Sequence, residues 1–216
     1  MGYTNLSNQN SIFKKFISEI RDVTIQKDAM RFRRNLERMG EIFAYEISKQ
    51  LNYKTTNITT PLGLATTELP TTNVVLITIM RAGLPFHQGF LNYYDTAENG
   101  FIGAFRKTEK NHSFSIEADY LACPNIEGKT VILSDPMLAS GESLITALNI
   151  LKSRGNPSKI HVAALIASQV GVDHVTKHLP ENASLWLGAV DDTLNSHAYI
   201  VPGLGDAGDL AFGEKL

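Results

Sequence analysis

The sequence predicts an α/β fold in which a mostly parallel sheet is flanked by helices. Segments with the helical spacing of apolar residues alternate with short apolar runs, and this alternation is typical of right-handed β-α-β units. Small, polar and charged residues follow several of the runs, at the edge where open α/β sheets bind their ligands. The four runs predicted as buried strands are Val74–Met80, Val131–Leu133, Ile160–Ala167 and Leu185–Val190.

The composition is that of one globular domain. The chain has 216 residues, of which 43% are hydrophobic and 19% are charged, so we expect a single domain over residues 1–216 with residues 1–10 loosely ordered. A net charge of −2 argues against a nucleic-acid or membrane-surface partner. Cys123 is the only cysteine, which excludes an internal disulfide and favours a reducing, cytoplasmic setting.

The first half of the chain predicts an N-terminal helix and a strand–loop–helix junction. Asp28 is a candidate N-cap for a helix that runs to about residue 51, and Thr59–Gly63 is typical of a turn or an extended connection. The strand Val74–Met80 leads through Arg81-Ala82-Gly83 into a helix predicted over Leu84–Asn92. Arg81 is suited to a bidentate grip on phosphate at the sheet edge, although a surface ion pair is the common alternative.

A third strand and a polar excursion are predicted next. Gly100–Arg106 is the strand, and it ends in the basic pair Arg106-Lys107. Thr108–Ala118 loses its periodicity and collects polar and charged residues. We therefore expect a mobile flap over a ligand site in this segment.

The loop after Val131–Leu133 is the strongest candidate for a phosphate site. It leads into a helix predicted over Leu144–Arg154, and backbone N–H groups at such a junction converge on one spot together with the positive end of the helix dipole. The loop offers hydroxyls, close backbone approach and a carboxylate for a metal or sugar hydroxyls, although an ordinary turn with a serine N-cap is the alternative. These groups belong to Ser140, Ser143, Gly141 and Asp135.

The C-terminal third adds a strand, a short helix, a further strand and a glycine-rich segment. Gly171–His178 is the predicted helix, and Asp191-Asp192 after the last strand either binds Mg²⁺ or caps the next turn. Tyr199–Asp209 combines three glycines, a proline and two aspartates, so we expect neither a regular helix nor a central strand there. Such a segment lets main-chain groups reach a flat ligand, or it is a loop without function.

Several of these segments together resemble the uracil phosphoribosyltransferases, which are type I phosphoribosyltransferases. The most specific are Asp-Pro-Met-Leu-Ala-Ser-Gly at 135–141 and Tyr-Ile-Val-Pro-Gly-Leu-Gly-Asp-Ala-Gly-Asp at 199–209. Thr60–Gly63, Arg81–Gly83 and Gly103–Arg106 also match. The resemblance implies the type I fold with a C-terminal glycine-rich base-binding loop, and transfer of ribose 5-phosphate from phosphoribosyl pyrophosphate (PRPP) to uracil, giving UMP and pyrophosphate.

The resemblance also implies site residues and partners. Asp135, Arg81 and Arg106 would be catalytic, with Mg²⁺ carried by PRPP and no direct protein ligand. A homodimer or homotetramer and a GTP effector would be partners. PRPP would be bound by Arg81, Arg106, Asp135, Pro136, Met137, Leu138, Ala139, Ser140, Gly141, Glu142, Ser143 and Asp206, and uracil by Ile200, Gly205, Asp206 and Ala207.

Three positions depart from the family pattern. Glu142 stands where a glycine is usual, and its carboxylate would repel a phosphate unless the side chain points outward. Leu210 replaces an arginine, and Ala198 replaces a glycine, a change that is tolerated if the residue has a negative φ. Because of Glu142 and Leu210, a nucleotide-sensing regulatory homologue with little transferase activity is the alternative function.

Overall fold

The computed structural model describes residues 2–71, 73–108 and 114–215, with only the backbone for residues 104–108 and 114–119. The helices are α1 Phe13–Arg21, α2 Ala29–Ser48, α3 Gly83–Leu91, α4 Glu142–Leu151, α5 Gln169–His178 and α6 Ala207–Phe212. The strands are β1 Tyr3–Asn5, β2 Tyr53–Thr60, β3 Gly63–Pro70, β4 Val74–Met80, β5 Glu98–Thr108, β6 Phe114–Ala122, β7 Thr130–Ser134, β8 Met137–Leu138, β9 Lys159–Ser168, β10 Ala183–Asp191, β11 Thr193–Leu194 and β12 Ile200–Val201.

The main sheet is mostly parallel, which confirms the predicted fold class. Its strand order is β1-β10-β9-β7-β4-β5-β6, with β8 beside β9. Only β6 runs antiparallel to its neighbour among the described strands of this sheet. The chain leaves β4 towards β5 on one side, whereas it leaves β7 towards β9 on the other. A cleft therefore opens between the two loops at the carboxyl ends of β4 and β7.

The apolar residues of each central strand alternate between two cores. Leu76 faces helices α1 to α3 and Val75 faces α4 and α5. Phe43 of α2 forms the centre of the first core, with its ring 5.9 Å from that of Phe13 and 5.2 Å from that of Phe86. Asp28 caps α2 by accepting a hydrogen bond from the Arg31 N–H at 3.0 Å, which confirms the predicted helix start.

Two elements of the first half were not predicted from the sequence. Tyr3–Asn5 pair with Leu185–Leu187 of β10, which differs from our expectation that residues 1–10 are loosely ordered. Their backbone groups cover the edge of β10 that would otherwise be unpaired. The predicted turn at Thr59–Gly63 is confirmed, but it joins β2 and β3 in an exposed hairpin.

The expectation of an irregular excursion over Thr108–Ala118 is wrong for residues 114–118. These residues belong to β6 and pair with residues 104–108 of β5. Phe114 and Ile116 alternate with Ser115 and Glu117, and this period of two is the strand signal that the polar composition masked. Residues 109–113, which also fall in the predicted flap, lie outside the described residues.

Within the described ranges, no helix combines the length and the apolar character that a membrane crossing requires.

Candidate functional site

A cavity of about 670 Å³ lies at the carboxyl ends of β4 and β7. Three segments form its walls. The first is the end of β4 with Arg81 and Ala82, and the second is the β7–α4 loop, which we define as residues 135–141. The third is the C-terminal loop, defined as residues 198–206, together with the start of α6. The two segments that stood out in the sequence thus form opposite walls of one cavity.

The β7–α4 loop is held by β9 and the beginning of α5. Ser168 Oγ donates a hydrogen bond to the Ala139 carbonyl at 2.6 Å and accepts one from the Gly171 N–H at 2.9 Å. On the other side, the Ile166 N–H donates to the Pro136 carbonyl at 3.0 Å. Because these bonds fix the main chain on both sides of Ala139, the loop keeps its shape without a ligand.

The loop presents the N-terminus of α4 to the cavity. Gly141 is the N-cap residue with φ +88°, and a Cβ there would lie 2.6 Å from Val175 Cγ2, so only glycine fits. Ser140 and Ser143 line the cavity beside it. Neither serine is the N-cap, which argues against the ordinary serine-capped turn and favours an anion site at the positive end of the ten-residue helix.

Asp135 lies at the bottom of this wall. Its Oδ1 accepts a hydrogen bond from the Met137 N–H at 3.1 Å. Burial raises the pKa of Asp135 to about 7, and the Met137 N–H opposes this shift only in part. The carboxyl group therefore changes charge near neutral pH, at the edge of a cavity that it lines.

The two predicted arginines are resolved to different extents. Arg81 lines the cavity, and its guanidinium donates to Asp209 Oδ1 at 2.6 Å and to the Gly213 carbonyl at 3.2 Å. Arginine has five N–H donors, so further donors remain for an anion in the cavity. Arg106 belongs to β5, but its side chain lies outside the described part of the structure.

All four residues predicted to bind a flat base line the opposite wall, namely Ile200, Gly205, Asp206 and Ala207. The expectation that no regular helix occurs in Tyr199–Asp209 is wrong for its end, because α6 begins at Ala207. Asp206 is the N-cap of α6, and its Oδ1 accepts hydrogen bonds from the Gly208 and Asp209 N–H groups at 2.8 and 3.0 Å.

Asp206 is held as a carboxylate. Burial acts to raise its pKa, but the Asp209 N–H and the Lys215 ammonium group outweigh burial and lower the pKa. Lys215 Nζ lies 3.1 Å from Asp206 Oδ2. A carboxylate with a lowered pKa and this many donors is a poor proton acceptor, so its position suits binding better than base catalysis.

Two of the predicted PRPP residues do not line the cavity. Pro136 faces β9, where its carbonyl is bound. Glu142 points towards α5, where its Oε1 lies 3.2 Å from His174 Nε2. The side chain is therefore turned outward, which is the condition under which we expected this departure from the family pattern to be compatible with phosphate binding.

The other two departures have different outcomes. Leu210 is partly buried and packs against the core that contains Phe43, which gives an apolar residue a role at this position. Ala198 lines the cavity with φ +59°, so the condition of a negative φ is not met. An alanine in this left-handed conformation costs about 1–2 kcal/mol relative to the right-handed one.

Some cavity residues escaped the sequence analysis. Lys215 lines the cavity next to Asp206, and Ile79 and Met80 form the floor beside Arg81. The two floor residues were recognised only as part of a strand, and nothing in the local pattern marks a single lysine near the C-terminus as a site residue. In the part of the chain that the structure describes, no group of three or more His, Cys, Asp or Glu side chains could hold a metal ion.

Comparisons with known proteins agree with the two walls. The family model "Uracil phosphoribosyltransferase" matches residues 7–214. A uracil phosphoribosyltransferase of Porphyromonas gingivalis strain ATCC 33277 is 52% identical over 216 residues, which covers 100% of both chains. One of Methanothermobacter thermautotrophicus is 38% identical over 188 residues, covering 86% of this chain and 85% of the other.

A solved structure also matches over almost the full length. A protein of Aquifex aeolicus superposes with a TM-score of 0.86 at 30% sequence identity and covers 98% of each chain. The model match includes both the β7–α4 loop and the C-terminal loop, which form the opposite walls of the cavity. On this evidence the chain belongs to the uracil phosphoribosyltransferase family.

Proposed function

We propose that the cavity binds PRPP and uracil on opposite walls and transfers ribose 5-phosphate to uracil, giving UMP and pyrophosphate. The observation that carries the proposal is the pairing of an anion-binding helix terminus with a glycine-rich loop across one cavity. A phosphorylated sugar fits the first wall and a flat base fits the second. This is the reaction after which the family is named, and the chain carries both of the family's most specific segments.

The β7–α4 loop and the start of α4 bind the 5′-phosphate in this proposal. Backbone N–H groups at the start of α4 and the hydroxyls of Ser140 and Ser143 are donors that suit three phosphate oxygens. Pro136 and Glu142 belong to the segment but support it from outside the cavity. The residues that contribute to the PRPP subsite are Arg81, Arg106, Asp135, Met137, Leu138, Ala139, Ser140, Gly141, Ser143 and Asp206.

Arg81 and Arg106 stabilise the pyrophosphate leaving group. Negative charge develops on this group as the glycosidic bond breaks, and guanidinium donors placed in advance stabilise that charge without reorganisation. Mg²⁺ enters as part of the PRPP substrate and offsets the same charge. The carboxyl oxygens of Asp135 fit a hard cation or its bound waters, because oxygen is the donor that Mg²⁺ prefers.

Asp135 acts on the sugar. The ribose ring gains positive charge as pyrophosphate leaves, and an ionised carboxylate at the cavity edge stabilises that charge through space. The ribose hydroxyls are hydrogen-bond partners for the same group. With a pKa of about 7, Asp135 is ionised in the upper part of the physiological pH range and protonated below it.

Uracil is bound largely by main-chain groups of the C-terminal loop. Ile200, Gly205, Asp206 and Ala207 present these groups to the cavity. Asp206 contributes to binding of both substrates and stays ionised. It does not take the N1 proton, because its carboxylate is already bound by Gly208, Asp209 and Lys215.

The regulatory alternative loses the observation that favoured it. Glu142 faces His174 rather than the cavity, and Leu210 has a packing role. Both departures are therefore compatible with turnover. Asp135 and Arg81 both line the cavity, which supports an enzyme rather than a sensor that has lost its chemistry.

The test is UMP formation by the purified protein from uracil, PRPP and Mg²⁺. We expect turnover in the wild type and a loss of at least about a hundredfold in Arg106→Ala, since removal of one donor to developing charge has effects of this size. Arg34→Ala is the matched control, because Arg34 makes a surface ion pair with Glu37 on α2. Absence of UMP from the wild type, with nucleotide binding retained, would contradict the proposal.

Four further expectations remain predictions. These are one domain over residues 1–216, a homodimer or homotetramer, activation by GTP, and a cytoplasmic location. Light scattering of the purified protein measures the oligomeric state. The UMP assay with and without GTP measures activation.

A further inference from the structure

An ion pair outside the cavity fixes the middle of the C-terminal loop. Arg21 Nη1 lies 2.7 Å from Asp191 Oδ2, and Arg21 Nη2 lies 2.8 Å from Asp191 Oδ1, so the guanidinium and the carboxylate meet as two parallel forks. Asp191 ends β10 and is only 8% exposed. Its carboxylate therefore neither binds Mg²⁺ nor caps only a turn, as the sequence had suggested, but joins α1 to the sheet edge.

Both main-chain polar groups of Gly203 are bound by this pair. The Gly203 N–H donates to Asp191 Oδ2 at 2.9 Å, and Arg21 Nη1 donates to the Gly203 carbonyl at 3.1 Å. Gly203 has φ +54°, and a Cβ there would lie 2.1 Å from the Ile200 carbonyl, so the turn is tight and specific to glycine. Ile200 and Gly205 stand on either side of this fixed point.

We propose that Arg21 and Asp191 are positioning residues for the base, acting through Gly203. None of the three lines the cavity, so they do not touch uracil themselves. The inference rests on the proposed function, since it assigns the C-terminal loop to uracil.

The physical reason is the cost of ordering a glycine-rich loop. Recognition by main-chain groups needs the backbone held within about 0.5 Å of the binding geometry. A loop with glycines at 203 and 205 loses much conformational entropy if it orders only when the base arrives. The ion pair orders the loop in advance, so more of the contact energy is available for uracil.

The effect is expected on one substrate only. The β7–α4 loop is held by Ser168 and by β9, and it has no hydrogen bond to Arg21 or Asp191 among the described contacts. Loss of the pair therefore weakens the binding of uracil but leaves the binding of the PRPP phosphate unchanged. A general loss of stability would not separate the two substrates in this way.

Arg21→Gln is the test variant, and Arg31→Gln is the matched control. Arg31 makes a comparable fork to Glu19 on the same helix α1, at 2.9 and 3.1 Å, but has no contact to the C-terminal loop. We expect the KM for uracil to rise about tenfold in Arg21→Gln, which corresponds to ~1.4 kcal/mol, with the KM for PRPP and kcat within about twofold. Arg31→Gln should leave both KM values within about twofold.

Hydrogen exchange gives a second readout that needs no turnover. In Arg21→Gln without substrates, the Gly203 amide should exchange faster than in the wild type and in Arg31→Gln. Arg21→Lys keeps the charge without the fork and should give intermediate values. If Arg21→Gln does not fold, Asp191→Asn serves instead, because it weakens the pair but retains an acceptor for the Gly203 N–H.

The outcomes separate the inference from the proposed function. Equal increases in both KM values, or the same uracil effect in Arg31→Gln, would overturn the positioning role. Unchanged exchange at Gly203 would also overturn it. A wild type that forms no UMP would contradict the proposed function alone, and the exchange data would then decide whether the pair orders the loop.

Discussion

Replacement of Asp135 by asparagine should make the protein more stable and less active. The buried carboxyl accepts one hydrogen bond, from the Met137 N–H, and an asparagine oxygen can accept the same bond. What the substitution removes is the negative charge, which burial disfavours, as the raised pKa of Asp135 shows. The charge therefore reduces stability in the free protein, and we attribute its presence to the sugar that it faces during the reaction.

The magnitude follows from the change in pKa on folding. The pKa rises from 3.8 in the unfolded chain to about 7 in the folded protein, so the folded state binds the proton more tightly. Below the lower value both states are protonated and no penalty exists, and stability is then lost as the pH rises to the higher value. At ~1.36 kcal/mol per pH unit the full penalty is about 4 kcal/mol. We halve it to about 2 kcal/mol, because the cavity admits water to the carboxyl group.

Urea denaturation at two pH values measures this. Asp135→Asn should exceed the wild type in free energy of unfolding by about 1 kcal/mol near pH 5 and by about 2 kcal/mol near pH 8. Asp206→Asn is the control of opposite sign, because the pKa of Asp206 is lowered and its ionised form stabilises the protein near neutral pH. A pH-independent difference, or a loss of stability near pH 8, would refute the reasoning for Asp135.

The activity of the same variant tests the other half of the prediction. UMP formation by Asp135→Asn should fall about a hundredfold near pH 8, because the charge that stabilises the sugar in the transition state is absent. Wild-type kcat/KM for PRPP should fall as the pH drops below about 7, where Asp135 becomes protonated. Full activity of Asp135→Asn would mean that the carboxylate has no part in the chemistry.

Three further substitutions test single contacts. Arg81→Ala should lower kcat/KM for PRPP about a hundredfold while Asp209→Ala does so less, since only the first removes cations from the leaving group; equal losses would point to the ion pair itself. Glu142→Gly should change the KM for PRPP less than about threefold, because the carboxylate faces His174; a tenfold decrease would mean that it faces the phosphate. Ala198→Gly should raise the free energy of unfolding by about 0.5–1 kcal/mol in urea denaturation by relieving φ +59°, and a decrease would contradict this.

The sequence predicted the central strands and the two loops because each carries a local signal. Val74–Met80 is a continuous apolar run, and β4 has the same bounds. The β7–α4 loop follows such a run and precedes helical spacing, so its place at the carboxyl edge of the sheet follows from chain order alone. The hairpin β2–β3 was missed beyond its turn, because its strands are exposed on both faces and show no apolar period.

The contacts between these elements could not be predicted in the same way. Arg21 and Asp191 are 170 positions apart, and their meeting depends on where α1 crosses the end of β10. From the sequence, Asp191 was equally compatible with a metal or a turn cap, since both need only a carboxylate at a strand end. The choice is made by the packing of α1 on the sheet, which brings a guanidinium to 21% exposure beside a carboxylate at 8%. Local patterns therefore identify which segments form the cavity walls, and tertiary packing determines what holds those walls in position.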